Sequence, residues 1–319
     1  MARAPLASPH ADLTNPLAAH APRRAFLRRT GALGLAAASG GLLAACGSGD
    51  VVSAIAPNRF IVFGDGLSDV GQGGARYTVN DGTVNIWAER LASRYGKTIT
   101  SQANGGLNFA QGHDPGQPLP RTINAQVNAF FATNTFQGQD VVVINLPMAD
   151  LLETMAAVKA GTLTETAALA KMDAVGVAHV DTVRRLIAAG AKYILVAGVY
   201  DLSRSPYAVQ QDQVALFSTA SLRLNNSFKV EALNLSANLL YVDMAFLVNR
   251  NSDVKTAGAY GFANYTAPLC TTPSALTCTD NTLVVTTKTT YLFADSVHLT
   301  PSCHLQFGDY AYDQLHARW

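Results

Sequence analysis

Charged residues are sparse, 14% of the 319-residue chain, and neither sign prevails: 23 Lys and Arg against 22 Asp and Glu give a formal net charge of +1. With no basic stripe to neutralise phosphates, nucleic acid is not an expected partner. Cysteine is scarce too, four residues in all, without Cys-x-x-Cys spacing or a His/Cys cluster at ligand spacing, which argues against zinc. No apolar run reaches the roughly 20 residues that span a bilayer. No Gly-x-Gly-x-x-Gly opens a helix, and no phosphate-binding Lys loop is present, so no cofactor is expected. What the chain has is apolar material, 49% of residues, enough for a sizeable core and too much for general disorder.

The little charge there is lies unevenly. Residues 1–45 hold five arginines (Arg3, Arg23, Arg24, Arg28, Arg29) and one acid, Asp12, which leaves the rest mildly acidic. Arg23-Arg24-Ala25-Phe26-Leu27-Arg28 resembles a twin-arginine signal, and an uncharged run of small and apolar residues follows from Thr30 to Ala45. That run ends in Leu43-Ala44-Ala45-Cys46-Gly47, which resembles a bacterial lipobox with Cys46 as the lipidated terminus. An ordinary signal with an incidental cysteine is the alternative. The expected organisation is a signal at 1–45, a tether at 46–57 and a body at 58–319. The expected location is the periplasm or outer membrane, reached by the twin-arginine route, with a lipid anchor in the membrane.

An oxidising compartment favours a loop disulfide between Cys270 and Cys278, which sit in a stretch rich in Thr, Pro and Ser. Cys303 is left over and reads as a small buried hydrophobe on the last helix.

Along the body, continuous apolar runs alternate with longer segments of helical spacing. Residues 60–63, 141–144, 193–196 and 239–242 read as strands covered on both faces; residues 86–95, 164–189 and 208–235 read as helices. Alternation of this kind predicts an α/β fold, a three-layer α/β/α sandwich with a mainly parallel sheet. Residues 251–289, the least regular stretch, read as a surface excursion. Ligands of open sheets sit beyond the carboxyl ends of the strands.

After the first strand comes Phe63-Gly64-Asp65-Gly66-Leu67-Ser68-Asp69-Val70-Gly71, and here the chain resembles the GDSL, or SGNH, hydrolases. Further blocks match in order: residues 82–91 with Val84, Trp87 and Leu91; Asn108-Phe109-Ala110-Gln111-Gly112; Val199-Tyr200-Asp201-Leu202-Ser203-Arg204-Ser205-Pro206; and Phe293-Ala294-Asp295-Ser296-Val297-His298-Leu299-Thr300-Pro301. The resemblance implies a mainly parallel five-stranded sheet of the flavodoxin-like type, and acyl transfer as the chemistry. A serine deprotonated by a histidine attacks an ester carbonyl, an aspartate orients the imidazole, and a serine N–H, a glycine N–H and an asparagine stabilise the oxyanion.

Carried over residue by residue, Asp295 and His298 match the acid and base, and Gly112 matches the oxyanion glycine. The nucleophile position is Gly66, without a side chain, and the usual Gly-x-Asn-Asp block reads Pro147-Met148-Ala149-Asp150, so Ala149 stands where the oxyanion asparagine is expected. Asp65 and Asp150 complete the site loops. Ser68 is the substitute hydroxyl; if residues after Gly66 open a helix, a two-residue step turns it away, and Ser68 and Asp69 then cap that helix. Asp295 and His298, spaced by three, could also be a surface pair on a helical turn. His113 is a candidate cleft residue or a solvated loop histidine, Tyr200, Asp201 and Arg204 a candidate cleft wall or an exposed loop salt bridge, and His179 and His304 read as structural or exposed.

Three functions stay open at this point. One is an envelope-anchored, monomeric relative of esterases and lipases that has lost the serine mechanism and binds an acyl-ester, lipid or acetylated glycan ligand. Another is a working ester hydrolase using Ser68 or a rearranged loop. The third is a purely structural lipoprotein.

Overall fold

The structure is a computed structural model that describes residues 55–83, 86–100, 106–112 and 121–319; the signal-like segment, Cys46 and His113 lie outside the described residues. The apolar runs become the strands expected of them. In chain order the strands are β1 (Phe60–Phe63), β2 (Gly106–Asn108), β3 (Val141–Asn145), β4 (Tyr193–Ala197) and β5 (Leu239–Val242). They form one parallel sheet in the order β2-β1-β3-β4-β5. Every residue of β1 and β3 is buried, as central strands covered on both faces require, whereas the edge strand β5 leaves its two middle residues half-buried.

Eight helices flank the sheet among the described residues: α1 (Trp87–Arg94), α2 (Ile123–Thr133), α3 (Met148–Lys159), α4 (Glu165–Ala188), α5 (Pro206–Gln210), α6 (Val214–Glu231), α7 (Met244–Asn251) and α8 (Pro301–Arg318). α4 packs along α6 with α3 beside them, and α1 packs on α8. The fold is thus the expected α/β sandwich around a parallel five-stranded sheet.

Two expectations need correction. Residues 208–235 are not one helix: α5 ends at Gln210, Asp212 takes a left-handed φ of 56°, and α6 starts at Val214. Aspartate tolerates that conformation, and one such residue is enough to break the helix. The irregular stretch is also more than an excursion. It carries β6 (Asn264–Pro268), which pairs in parallel with β7 (Tyr291–Phe293) in a second, two-stranded sheet. Cys270 and Cys278 are joined by a disulfide with their Cα atoms 5.8 Å apart. Cys303 is buried on α8, and burial pushes its thiol up to about 12, too high for a reactive thiolate.

The amide of Ile55 donates to the carbonyl of Trp319 at 3.2 Å, and the Trp319 ring lies 5.3 Å from Tyr193, the first residue of β4. Both ends of the described chain therefore meet at the amino-terminal edge of the sheet.

Candidate active site

The order of the sheet reverses at β1, which has β2 on one side and β3 on the other, and the loops at the carboxyl ends of these three strands converge there. Gly64, the first residue after β1, has φ of +145°, a conformation that favours glycine. Gln126 of α2 clamps it: Oε1 accepts from Gly64 N–H at 2.9 Å, and Nε2 donates to the Gly64 carbonyl at 2.8 Å.

No helix opens after Gly66. The chain makes a turn, Ser68 N–H to Asp65 carbonyl at 2.9 Å, and the next helix begins only at Trp87, so Ser68 and Asp69 cap nothing helical. Ser68 is fully buried and donates its hydroxyl to Asn145 Oδ1 at 2.7 Å. Asn145 ends β3, and its Nδ2 donates to Asp65 Oδ1 at 2.9 Å. Asp65 Oδ2 in turn accepts from Ala149 N–H at 3.2 Å. Asp65 and Ala149 thus join the β1 and β3 loops, and Ser68 is tied into the same network.

Asp69 reaches the loop after β2. Its Oδ1 accepts from Gly71 N–H at 2.9 Å and Gln72 N–H at 3.1 Å, and its Oδ2 accepts from Gly112 N–H at 2.8 Å. The backbone donor that the resemblance assigns to an oxyanion is held by this carboxylate instead.

The opposite wall is the loop between β7 and α8. Asp295 and His298 are not a surface pair on a helical turn; they are 2% and 1% exposed, in a tight loop closed by Ala294 N–H to His298 carbonyl at 2.7 Å. Asp295 Oδ1 accepts from Val297 N–H at 2.9 Å and His298 N–H at 2.7 Å, and Oδ2 lies 2.8 Å from His298 Nδ1. Burial alone would raise the Asp295 pKa. The charge on His298 and the hydrogen bonds from His298 and Val297 outweigh it and hold the carboxyl down at about 2.

His298 Nε2 points at Gly66. A Cβ built on Gly66 would stand 3.1 Å from Nε2 and 3.1 Å from Tyr77 Cγ, and the Tyr77 ring lies 4.8 Å from the imidazole. A Cβ on Gly112 would fall on the Tyr77 ring and 2.7 Å from Gly66 Cα. Gly66, Gly112, Tyr77 and His298 are therefore in direct packing contact, and the two glycines are what allow it. An imidazole oriented by a carboxylate is suited to take a proton, but the residue it faces has no hydroxyl to give one.

Asp150, on the first turn of α3, is half-buried; burial, with Glu153 next, raises its pKa. Ala149 and Asp150 border a cavity of about 480 Å³ whose walls include Pro147, Asn124, Val175 and His179. His179 is buried beside it, its pKa lowered by burial to about 4, and its Nε2 has no hydrogen-bond partner among the described residues. His304 is buried as well, lowered to about 3 by burial and then by His298, and its Nδ1 accepts from Trp87 N–H at 3.4 Å. Tyr200 is not a cleft wall: it is buried, and its hydroxyl donates to the Val297 carbonyl at 2.6 Å, bracing the Asp295–His298 loop. Asp201 and Arg204 form a looser pair at 3.9 Å. Sequence reasoning did not single out Gln126, Asn145 or Tyr77. Of these, only Asn145 carried a signal, a polar residue ending a run of buried β-branched ones.

What this fold and site define is an α/β sandwich with a buried carboxylate–imidazole pair that faces Gly66 in the loop after β1. The chain is similar to GDSL-type lipolytic hydrolases. A phosphatidylcholine-sterol acyltransferase of Aeromonas hydrophila is 26% identical over 206 residues, which cover 60% of this chain and 57% of that protein's length. Solved structures similar to it include a lipolytic G-D-S-L family protein from Veillonella parvula and phospholipase A1 from Streptomyces albidoflavus. Both are 12% identical with a TM-score of 0.45; the first covers 80% of this chain and 96% of its own, the second 82% and 100%. An aryl esterase of M. smegmatis, 15% identical with a TM-score of 0.42, covers 82% of this chain and 100% of its own. No protein-family model matches the chain.

Proposed function

We propose that this protein is an impaired or non-catalytic member of the esterase/lipase lineage that binds an acyl-ester, lipid or acetylated glycan ligand. The observation that carries this reading is Gly66 packed under the imidazole, with Nε2 3.1 Å from where a Cβ would begin. Loss of the serine nucleophile in a protease of another fold cost about 10⁶ in turnover. Two further features point the same way. Gly112 N–H is held by Asp69, and Ala149 has no side-chain amide to offer an oxyanion. Removing one such donor cost about 10²–10³ in another enzyme. The competing hydroxyl, Ser68, is bonded to Asn145. The cavity beside Ala149, with apolar and hydrogen-bonding walls, is the place for the ligand.

The reading includes export by the twin-arginine route, a lipid anchor at Cys46, residence in the periplasm or outer membrane, and a monomeric body at 58–319. Globomycin-sensitive processing and labelling with a fatty-acid analogue, lost in Cys46→Ala, test the anchor.

Activity is tested by incubating the mature protein with a short-chain p-nitrophenyl ester and then with a fluorophosphonate. The expected result is no hydrolysis above buffer and no labelling. Hydrolysis with labelling that disappears in Ser68→Ala overturns the reading in favour of a working hydrolase.

A further inference from the structure

One segment far from the motif blocks touches the acid of the pair. Cys270 and Cys278, eight residues apart, close a ring in which Ser274 Oγ caps a short 3₁₀ turn, Ala275–Thr277, by accepting from Leu276 N–H at 3.2 Å. The first residue of that turn, Ala275, donates its N–H to Asp295 Oδ2 at 2.8 Å. This is the oxygen that holds His298 Nδ1. Of the donors to Asp295 among the described residues, only this one comes from outside residues 295–298.

The Ala275 peptide is fixed from both sides. Its carbonyl accepts from Asn80 Nδ2 at 3.1 Å, and the Asn80 amide donates to the Cys278 carbonyl at 2.8 Å. On the other side of the ring, Cys270 N–H donates to the Ala294 carbonyl at 2.8 Å, next to Asp295. Ala275 and Cys278 are fully buried and Cys270 nearly so. Around the pair, Tyr77 packs on the imidazole, while burial keeps Tyr200 and His304 neutral.

We infer that the Cys270–Cys278 ring is a positioning element for the Asp295–His298 pair, with the Ala275 N–H fixing the carboxylate oxygen that orients the imidazole. A carboxylate with two donors on one oxygen cannot rotate without losing both, and a charge-assisted N–H favours its ionised form. Opening the ring leaves the Ala275 carbonyl its hydrogen bonds from Asn80 Nδ2 and Cys278 N–H, both at 3.1 Å, but removes the covalent closure that holds the turn against Asp295. The inference concerns the geometry of the pair and does not depend on whether position 66 supports chemistry.

Ala275→Pro deletes the single N–H where proline is tolerated: the first residue of a helical turn, preceded by Ser274 in an extended conformation (φ −117°, ψ 137°). Ala275→Gly keeps the N–H, and Cys270→Ala/Cys278→Ala opens the ring. The readout is the low-field Nδ1 proton of His298 in full-length protein labelled with ¹⁵N-histidine, followed from about pH 7 to about pH 1, past the value of about 2 at which the Asp295 carboxyl is held. In Ala275→Pro the resonance should disappear at a pH about one unit higher than in the parent, since a hydrogen bond that favours the ionised carboxylate is gone. The ring-opened protein should shift in the same direction, and Ala275→Gly should follow the parent. A purely structural ring would lower the melting temperature and leave the resonance unmoved. Folded Ala275→Pro with the parental profile overturns the inference. So does a parental profile in the ring-opened protein, which alone decides the matter should Ala275→Pro fail to fold.

Discussion

Restoring a hydroxyl at position 66 is the most direct perturbation of the site. The backbone of Gly66 lies outside the left-handed region, so an L side chain is admitted without conformational strain. The atoms its Cβ would meet, His298 Nε2 and Tyr77 Cγ at 3.1 Å and His298 Cδ2 at 3.4 Å, all belong to side chains rather than backbone. The rings must withdraw by a few tenths of an ångström, and tight insertions of this kind cost about 1–3 kcal/mol. In Gly66→Ser the new Oγ lies one bond beyond a Cβ already beside Nε2, the placement a nucleophile–base pair needs. Because Ala149 and the Asp69-bound Gly112 still provide no free oxyanion donor, the expected gain in short-chain ester hydrolysis is on the order of 10²-fold, well below the ~10⁶ a nucleophile is worth in an intact site. Adding Ala149→Asn should raise turnover by a further ~10²–10³. The assay is p-nitrophenyl acetate hydrolysis, with mass spectrometry to locate the fluorophosphonate adduct. A folded Gly66→Ser that is neither labelled at residue 66 nor faster than the parent would refute the claim that the imidazole is poised for that position.

Three other outcomes follow from the packing. Gly112→Ala drives a methyl group into the Tyr77 ring and to within 2.7 Å of Gly66 Cα, so thermal unfolding should show a loss of about 1–3 kcal/mol; an unchanged melting temperature would mean the cluster is looser than described. Asn145→Ala takes the acceptor from the buried Ser68 Oγ and deletes the Nδ2 donor to Asp65 Oδ1, and urea denaturation should report a loss of about 2 kcal/mol or more, whereas a value near zero would show the network is not built on Asn145. For acid stability, burial lowers His179 to about 4 and His304 to about 3, below the unfolded value near 6.5, so the native state binds fewer protons than the unfolded chain. Their contribution is complete above that unfolded value and is lost as pH falls through it toward 4, at about 1.4 kcal/mol per pH unit for each histidine. Asp295, lowered to about 2, adds a second loss only below about pH 4. Urea midpoints at pH 7, 6 and 5 check this, and His179→Phe should flatten the slope by about half; a midpoint that does not move from pH 7 to 5 contradicts the buried neutral assignment.

How much of this was readable in the residues depends on how local each feature is. The central strands announced themselves because a strand covered on both faces must be apolar throughout, as Val141-Val142-Val143-Ile144 is. The edge strand β2 did not: three residues beginning with glycine carry no such signal. β6 and β7 did not either, since their pairing joins segments of mixed polarity and is irregular in register. In the site, Gly66, Gly112, Asp295 and His298 stood in linear blocks. Asn145 and Gln126 became legible only once the register of β1 against β3 and the placement of α2 brought them onto Asp65 and Gly64, 80 and 62 residues away. Whether Ser68 faced Gly66's neighbours or the sheet was likewise a matter of tertiary contact: a turn, where a helix had been the expectation, settled its partner.

The pairing of Ile55 with Trp319 has a practical corollary. Ile55 and Trp319, the first and last described residues, lie at the strand starts, whereas Gly66 and His298 lie beyond the strand finishes. Joining Ile55 to Trp319 through a short linker and reopening the chain in the loop after α5 is a natural circular permutation, with the new junction at the end of the sheet opposite Gly66 and His298.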